Sequence, residues 1–291
     1  GDRLRAAPGA QAGHALRRAA PAALAVGLVC LAAWAALGRG DPGRSYASYL
    51  VAYTWFLSIA LGALLFVLLQ FATRAGWSVV VRRLAENASA TMPLFAILFV
   101  PVALGMGHLY HWSHHEAVAA DAALRSKAGW LNAPFFLARA AAYLAVWAGI
   151  AMYFARRSAA QDATGDADAT RKLQRASYTA IVAVGLTLSL AAIDWLMSIE
   201  PHWYSTIYGV YYFAGAMVAA VAFLTLLAAA LQRGGLLRGV VTVEHYHDLG
   251  KLLFAFTVFW AYIAFAQFFL IWYGAIPEET FWYADRWNSG W

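Results

Sequence analysis

The stretch YLVAYTWFLSIALGALLFVLLQF, residues 49–71, contains no charged residue. About 20 mostly apolar residues in a helix cross the hydrocarbon core of a membrane, so this stretch is long enough to span it. Six further stretches have the same character: roughly 20–38, 90–110, 133–155, 176–199, 208–231 and 250–275. None alternates with period two as barrel strands do, so the sequence predicts an all-α polytopic membrane protein with seven transmembrane helices. Pro93 and Pro101 predict that the third helix is kinked.

Composition excludes several other classes of protein. Hydrophobic residues make up 63% of the 291 residues and charged residues 12%, against roughly 45–50% and 25% in soluble domains. One soluble core cannot hide so much apolar surface, because a soluble chain needs charged residues outside. A soluble enzyme and a disordered chain are therefore excluded. The single cysteine, Cys30, excludes a disulfide-stabilised secreted scaffold.

The basic residues predict how the helices cross the membrane. Fifteen of the 21 Lys and Arg residues lie on the N-terminal segment and on alternate loops, and five lie on the opposite flanks. Short loops rich in Lys and Arg stay in the cytoplasm, so we expect the N-terminus to be cytoplasmic. Topology thus explains the net charge of +6, and no nucleic-acid partner is expected.

This topology divides the chain into three parts. Residues 1–19 are a basic cytoplasmic N-terminal segment, 20–276 form the transmembrane helical domain, and 277–291 are a periplasmic segment. Within the domain, the stretch SAAQDATGDADATRK, residues 158–172, has the composition of a linker. It predicts a mobile cytoplasmic loop.

Two opposite charges lie inside predicted spans, where ionisable residues are costly and indicate function by default. Arg139 lies six residues, roughly 9 Å, into the fourth span, and Asp194 lies at a similar depth near the end of the fifth. The two are predicted to pair. Residues at the ends of neighbouring spans extend this pair to an outer polar cluster: His108, Arg139, Asp194, Glu200 and His202. The alternative is a structural pair that only locks two helices together.

A second group of polar residues crowds the start of the seventh span: Glu244, His245, His247, Asp248 and Lys251. Asp248 and Lys251, three residues apart, share a helix face. The functional interpretation is a cytoplasmic proton entrance that leads along the helix towards Gln267. The alternative is an ordinary helix N-terminus, with an acid in its first turn and histidines at the membrane interface.

The histidine-rich run His108-Leu-Tyr-His111-Trp-Ser-His114-His115-Glu116 suggests a metal or haem site. All eight histidines, however, lie at span ends or outside the spans, whereas a b-type haem needs histidines deep in facing helices. The zinc pattern HExxH is absent as well, so we predict no metal. The sequence also lacks CxxCH, CxxC and P-loop motifs, which leaves covalent haem, iron–sulfur clusters and nucleotides unsupported.

Five segments from the third span onward carry a resemblance to a known family: Thr91–Leu94 with Gly107–Tyr110, Leu131–Phe136 with Arg139, Asp194–Gly209, His245–Lys251 and Ile276–Tyr283. Together they resemble the second quinone-binding-type membrane subunit of alternative complex III, a quinol:cytochrome c oxidoreductase. Such subunits belong to the NrfD-like polysulfide-reductase membrane-subunit family. The resemblance covers roughly residues 90–291.

The resemblance implies a fold of two adjacent four-helix bundles with peripheral helices. This chain ends at Trp291, where the family continues through further spans, so we expect one four-helix bundle and an incomplete second one. The family's acidic, histidine and lysine positions map onto Asp194, Glu200, His202, His245, Asp248 and Lys251. The resemblance thereby makes the outer cluster quinone-proximal and the second cluster part of a proposed proton path.

The resemblance also implies a setting, the bacterial cytoplasmic membrane, and a set of partners. These are a homologous quinol-oxidising membrane subunit, multihaem cytochrome c and iron–sulfur subunits, and membrane lipids. The chain itself is expected to hold no covalent cofactor, with menaquinone or ubiquinone as its candidate ligand, and not to be catalytic alone. The alternatives are a secondary transporter or proton channel, which intramembrane charges also fit, and a purely structural membrane anchor.

Overall fold

The structure, a computed structural model, describes residues 8–165 and 167–289. The described residues form helices and turns and contain no strand. In chain order the helices are α1 (Pro8–Leu37), α2 (Pro42–Ala72), α3 (Val79–Ser89), α4 (Met92–Leu98), α5 (Val100–Leu104), α6 (Met106–Leu109), α7 (His115–Ala120), α8 (Ala122–Lys127), α9 (Ala133–Thr164), α10 (Ala167–Trp195), α11 (Tyr208–Arg233), α12 (Val243–Gly274) and α13 (Pro277–Asn288). Single 3₁₀ turns lie at Gly38–Gly40, His111–Ser113 and Met197–Ile199.

Seven helical stretches of the described residues are long and apolar enough to cross a membrane: Ala19–Gly40, Pro42–Ala72, Val79–Leu104, Ala133–Asp162, Asp168–Ile199, Tyr208–Arg233 and Val243–Gly274. The prediction of an all-α polytopic membrane protein with seven spans is confirmed. The N-terminal segment predicted as 1–19 lies outside the described residues up to residue 7, and from Pro8 onward it belongs to α1.

The third span is broken, as its prolines predict. It is divided into α3, α4 and α5, and each of the last two helices has a proline, Pro93 or Pro101, in its first turn. A proline has no N–H to donate and its ring clashes with the preceding turn, so a continuous helix ends there. The predicted kink is confirmed.

The predicted boundaries of this span were wrong. The sequence predicts residues 90–110, whereas the structure has Val79–Leu104. Charges at its start caused the error, since Arg82, Arg83 and Glu86 have the composition of a loop. In the structure Arg82 and Arg83 each pair with Glu86. Paired charges can lie in a helix at the membrane boundary, which hydropathy alone does not register.

Four spans, namely α2, the broken third span, α9 and α10, form a bundle. Helix α2 packs against the broken third span, α10 and α11, and α9 completes the ring between α4 and α10. Buried side chains such as Leu61, Leu64, Trp147 and Phe154 fill the space between them. Whether it is the first of the two bundles that the resemblance implies stays a prediction.

Helices α11 and α12 form a pair on one flank of the bundle. Helix α11 packs on α2 and α10, and α12 packs on α11. The approach of α11 to α2 is close at Gly62, where a Cβ atom would lie 2.6 Å from the Cβ of Ala220. Whether this pair belongs to a second bundle stays a prediction.

The stretch 158–172 differs from its prediction as a loop. Helix α9 runs to Thr164 and α10 begins at Ala167, so most of the stretch is helical and only Gly165, with φ +65°, is a described turn residue. Asp166 lies outside the described residues. Composition rich in alanine and acid resembles a linker, but alanine also has the highest helix propensity.

A cap segment, residues 114–131, covers the end of the bundle at which α9 begins and α10 ends. It contains the short helices α7 and α8 and then turns into α9. Leu124 anchors it, because this side chain is only 1% exposed. We refer to this end as the Asp194 end, and to the opposite one as the Glu86 end.

Candidate functional site

The charged pair predicted within the membrane is present at the Asp194 end. Arg139 donates from Nε to Asp194 Oδ2 over 2.7 Å and from Nη2 to Oδ1 over 2.9 Å, a bidentate geometry. Asp194 is completely buried and Arg139 is 6% exposed. The predicted pairing is confirmed.

Two further donors complete the surroundings of the Asp194 carboxylate. Trp130 Nε1 donates to Oδ1 over 2.8 Å and the Tyr143 hydroxyl donates to Oδ2 over 3.0 Å. Each oxygen thus accepts two hydrogen bonds, which is the usual capacity of a carboxylate oxygen. The carboxylate is closed to further donors and well compensated for its burial.

Local sequence positions Arg139. Asn132 caps α9 by accepting from Phe135 N over 3.0 Å, and Pro134 lies in the first turn. This start places Arg139 in the second turn, where its Nη1 donates to the Trp130 carbonyl over 2.9 Å. Its guanidinium also lies over the rings of Trp130 and Phe135, at 4.2 and 4.3 Å from their centroids, an arrangement that stabilises a cation.

Hydrogen bonds tie the end of α10 to residues 110–112, which follow the third span. The Tyr110 hydroxyl donates to the Trp195 carbonyl over 3.0 Å, and Trp112 Nε1 donates to the Ser198 carbonyl over 3.1 Å. Ser198 in turn donates to the Asp194 carbonyl over 2.5 Å. Three of the segments that carry the family resemblance therefore converge around the Arg139–Asp194 pair.

His108 does not join this pair, contrary to the predicted outer cluster. Its side chain is exposed and stacks on Tyr46 of α2, with ring centroids 5.4 Å apart. The depth of a residue in its span was the basis for grouping these residues. The depth of a residue does not determine in which direction its side chain points around the helix. His108 points towards α2 and away from the Arg139–Asp194 pair.

Glu200 and His202 form a separate cluster at the surface with Asp121, which the sequence analysis missed. His202 Nε2 lies 2.5 Å from Asp121 Oδ2, and His202 Nδ1 lies 3.4 Å from Glu200 Oε1. The Asp121 carboxylate, followed by Glu200, raises the pKa of His202 above its ordinary value. The bond to His202, followed by that to the Ala123 N–H, lowers the pKa of Asp121.

The second predicted cluster lies at the N-terminus of helix α12 and has the contacts of an ordinary helix start. Helix α12 begins at Val243, and the Thr242 hydroxyl and N–H meet His245 Nδ1 at 2.9 and 3.2 Å in a capping box. Asp248 pairs with Lys251 over 2.7 Å, and Lys251 is largely exposed. These contacts favour the ordinary alternative over a proton entrance.

The other two members of that cluster agree with this assignment. Glu244 lies in the first turn of α12, where an acid is favourable, and both Glu244 and His247 are exposed. Gln267 lies towards the other end of the helix, and its Nε2 is 3.5 Å from the Tyr283 hydroxyl. No described contact links Gln267 to the start of α12.

Glu86 is the buried carboxylate that the sequence analysis missed. It is 1% exposed, its Oε1 accepts from Ser158 Oγ over 2.8 Å, and Arg82 Nε lies 3.4 Å from the same oxygen. Arg83 Nη1 lies 2.7 Å from Oε2, an ionic contact without hydrogen-bond alignment. Arg83 also pairs with Asp162 on α9. The signal in the sequence was an acid three and four residues after two arginines.

An apolar groove of about 960 Å³ opens between α2, α11 and α12. It is lined by small residues of α11 such as Gly215 and Ala219, and by aromatic residues such as Trp55, Tyr211 and Trp260. No Asp, Glu, Lys or Arg is among its lining residues. The groove can hold a long apolar molecule within the membrane.

Within the described part of the chain, no group of three or more His, Cys, Asp or Glu side chains is arranged to hold a metal ion. Comparison with known proteins assigns no family, because no protein-family model and no curated protein matches this chain.

Proposed function

We propose that the chain is a non-haem integral membrane subunit of a respiratory quinol-oxidising complex of the alternative complex III type. One observation carries the proposal. The segments that carry the family resemblance are far apart in the sequence, yet three of them meet at one end of the bundle: Gly107–Tyr110, Leu131–Phe136 with Arg139, and Asp194–Gly209. We expect the segments to meet in this way if they resemble the family because they build the same part of its structure.

In this proposal the Arg139–Asp194 pair positions helices and does not accept protons from quinol. A site that oxidises quinol needs a base within hydrogen-bond reach of the quinol hydroxyl. Asp194 already accepts four hydrogen bonds and is completely buried. We therefore assign quinol oxidation to the homologous membrane subunit, and assembly with that subunit to this chain.

The partners follow from this assignment. They are the homologous quinol-oxidising subunit, multihaem cytochrome c and iron–sulfur subunits, in the bacterial cytoplasmic membrane with the N-terminus of the chain inside. The groove between α2, α11 and α12 is the place where a lipid, or the tail of menaquinone or ubiquinone, fits. Its size supports this role, because ligand pockets are commonly about 300–1,000 Å³.

The interior of the bundle argues against the first of the two alternatives. A proton channel or secondary transporter needs polar groups across the membrane. Between the Asp194 and Glu86 ends, the described core is instead filled by residues such as Leu57, Leu64, Val184 and Leu188. A purely structural anchor agrees with the saturated carboxylate, and it differs from the proposal only in what co-purifies with the chain.

Co-purification tests the proposal. The affinity-tagged full chain is extracted from its native membranes in a mild detergent, and the eluate is examined for c-type haem absorption and for quinol:cytochrome c oxidoreductase activity. We expect both, together with a second membrane subunit of similar hydropathy. Recovery of the chain alone, without haem-bearing partners, contradicts the proposal.

A further inference from the structure

The cap segment, residues 114–131, is the part of the molecule that shields the Arg139–Asp194 pair at this end. Its Trp130 is 40% exposed, while the indole N–H donates to Asp194 and the ring lies 4.2 Å from the Arg139 guanidinium. Arg139 and Asp194 are themselves buried. Displacement of Trp130 therefore removes one hydrogen bond from Asp194 and opens a route from solvent to the pair.

Two polar contacts hold the middle of the cap segment to the loop after α10. Lys127 Nζ donates to the Pro201 carbonyl over 2.5 Å. Asp121, which caps α8 by accepting from Ala123 N, meets His202 Nε2 at 2.5 Å. The second contact depends on a histidine, the side chain whose charge changes near physiological pH.

The geometry of His202 makes that contact sensitive to one proton. Its two ring nitrogens face two different carboxylates, Asp121 from Nε2 and Glu200 from Nδ1. A protonated imidazole donates from both nitrogens, but a neutral one has a single N–H and presents a lone pair to the other carboxylate. Only the charged form can bridge both partners.

We propose that the cap segment is a pH-gated lid: protonated His202 bridges Asp121 and Glu200 and latches the lid over the Arg139–Asp194 pair, and loss of the proton weakens the latch. This inference goes beyond the proposed function and does not depend on quinol chemistry. It concerns the access of water to a buried ion pair.

The charges around His202 set the direction of the effect. Asp121 comes from the cap segment and Glu200 from the loop of His202 itself, and both favour the charged histidine. Lys127 binds the adjacent Pro201 carbonyl. Helix α13 contributes the cation Arg286 near this loop. Its guanidinium lies 3.3 Å from the ring centroid of Trp282, and that ring stacks on Trp203, the residue after His202, with centroids 4.0 Å apart.

The sign follows from the raised pKa of His202. Below 6.5, the ordinary pKa of histidine, His202 is protonated in both the folded and the unfolded chain, and the latch makes its full contribution to the stability of the closed lid. The contribution is lost as the pH rises through the raised pKa. The lid is thus closed in acid and looser in alkali.

Hydrogen–deuterium exchange of the full chain in lipid nanodiscs tests the proposal between about pH 5.5 and pH 8.5. Exchange rates of amides in residues 114–131 are divided by their intrinsic rates at each pH. We expect protection to fall roughly two- to fivefold towards alkaline pH, the equilibrium equivalent of an exposed ion pair. We call this fall the pH step. If the wild-type chain shows no pH step, the proposal is overturned.

Variants separate the latch from other effects of pH. His202→Gln and Asp121→Asn each remove a charge, and Asn still caps α8, so both are expected to abolish the step; a step that survives in either variant overturns the proposal. His115→Gln, an exposed control at the start of α7, is expected to keep the step. Lys127→Met is expected to lower protection at both pH values and to leave the step in place.

A second readout tests whether the lid reaches the ion pair. The chain is labelled with 5-fluorotryptophan, and the ¹⁹F resonance of Trp130 is assigned by its loss in Trp130→Phe. We expect this resonance to move with the same pH midpoint as the exchange step. A Trp130 resonance that does not respond, while the amides do, overturns the assignment of the cap segment as a lid over Asp194.

Discussion

At the residue scale, two charged pairs in this chain look alike in sequence and differ in the structure. Arg139–Asp194 is bidentate and buried, and Asp248–Lys251 is a single contact at an exposed helix start. A buried pair costs much to break, because one partner remains as an uncompensated charge. An exposed pair contributes little, since water screens both partners.

Asp194→Asn is therefore expected to lower the free energy of unfolding by about 3–5 kcal/mol. The matched variant at the partly exposed pair, Asp248→Asn, is expected to change it by less than about 1 kcal/mol. Denaturant titration of the purified chain in mixed micelles measures both values. Equal stability of the two variants contradicts the structural role of the Arg139–Asp194 pair.

A double variant distinguishes loss of the pair from loss of packing. In Arg139→Met with Asp194→Leu, both charges are replaced by apolar side chains of similar length. We expect it to recover most of the stability lost in Asp194→Asn, since no buried charge remains.

Glu86 shows the limit of reasoning from single residues. With Arg82 and Arg83 nearby, it has the composition of a polar loop. In the structure it is buried because Ser158, on the distant helix α9, donates to it. A partner 72 positions away in the sequence is supplied by the tertiary fold alone.

At the element scale, α2 organises the bundle because it packs against the third span, α10 and α11. One contact, between α2 and α11, depends on the absence of a side chain at Gly62. Helices in membranes associate through close packing, and small residues permit the approach of their backbones.

Gly62→Ala is expected to force α2 and α11 apart and to lower stability by about 1–3 kcal/mol, the usual cost of overpacking. Gly185→Ala is its control, because a Cβ there meets nothing within 4 Å. We expect the control to be neutral, or more stable by up to about 1 kcal/mol through helix propensity. The same denaturant titration compares the two, and a neutral Gly62→Ala contradicts the close contact.

The broken third span shows which features of an element could be predicted. Pro93 and Pro101 act locally, so their breaks were predictable from the chain. The start of the span at Val79 depends on the pairing of three charges, and pairing is a property of the folded helix.

At the scale of the whole molecule, the distribution of Lys and Arg predicts orientation. It places the turn between α2 and α3 in the cytoplasm and the cap segment outside. The chain offers a clean test, since Cys30 is its single cysteine.

In a Cys30→Ser background, Gly76→Cys and Ser126→Cys place one thiol at an exposed position on each side. A membrane-impermeant maleimide is expected to label Ser126→Cys in right-side-out vesicles and Gly76→Cys in inside-out vesicles. The reverse labelling contradicts a cytoplasmic N-terminus.

The number of spans, the helical class, the break at the prolines and the pairing of Arg139 with Asp194 were all predictable from the chain before its structure was known. These depend on hydropathy, on local backbone chemistry and on depth along a helix, all of which are readable along one chain. Only the tertiary structure decided that His108 lies apart from this pair, that His202 faces Asp121 and that Glu86 is buried. Each of these depends on the rotation of one helix relative to another, and depth along a span carries no information about rotation.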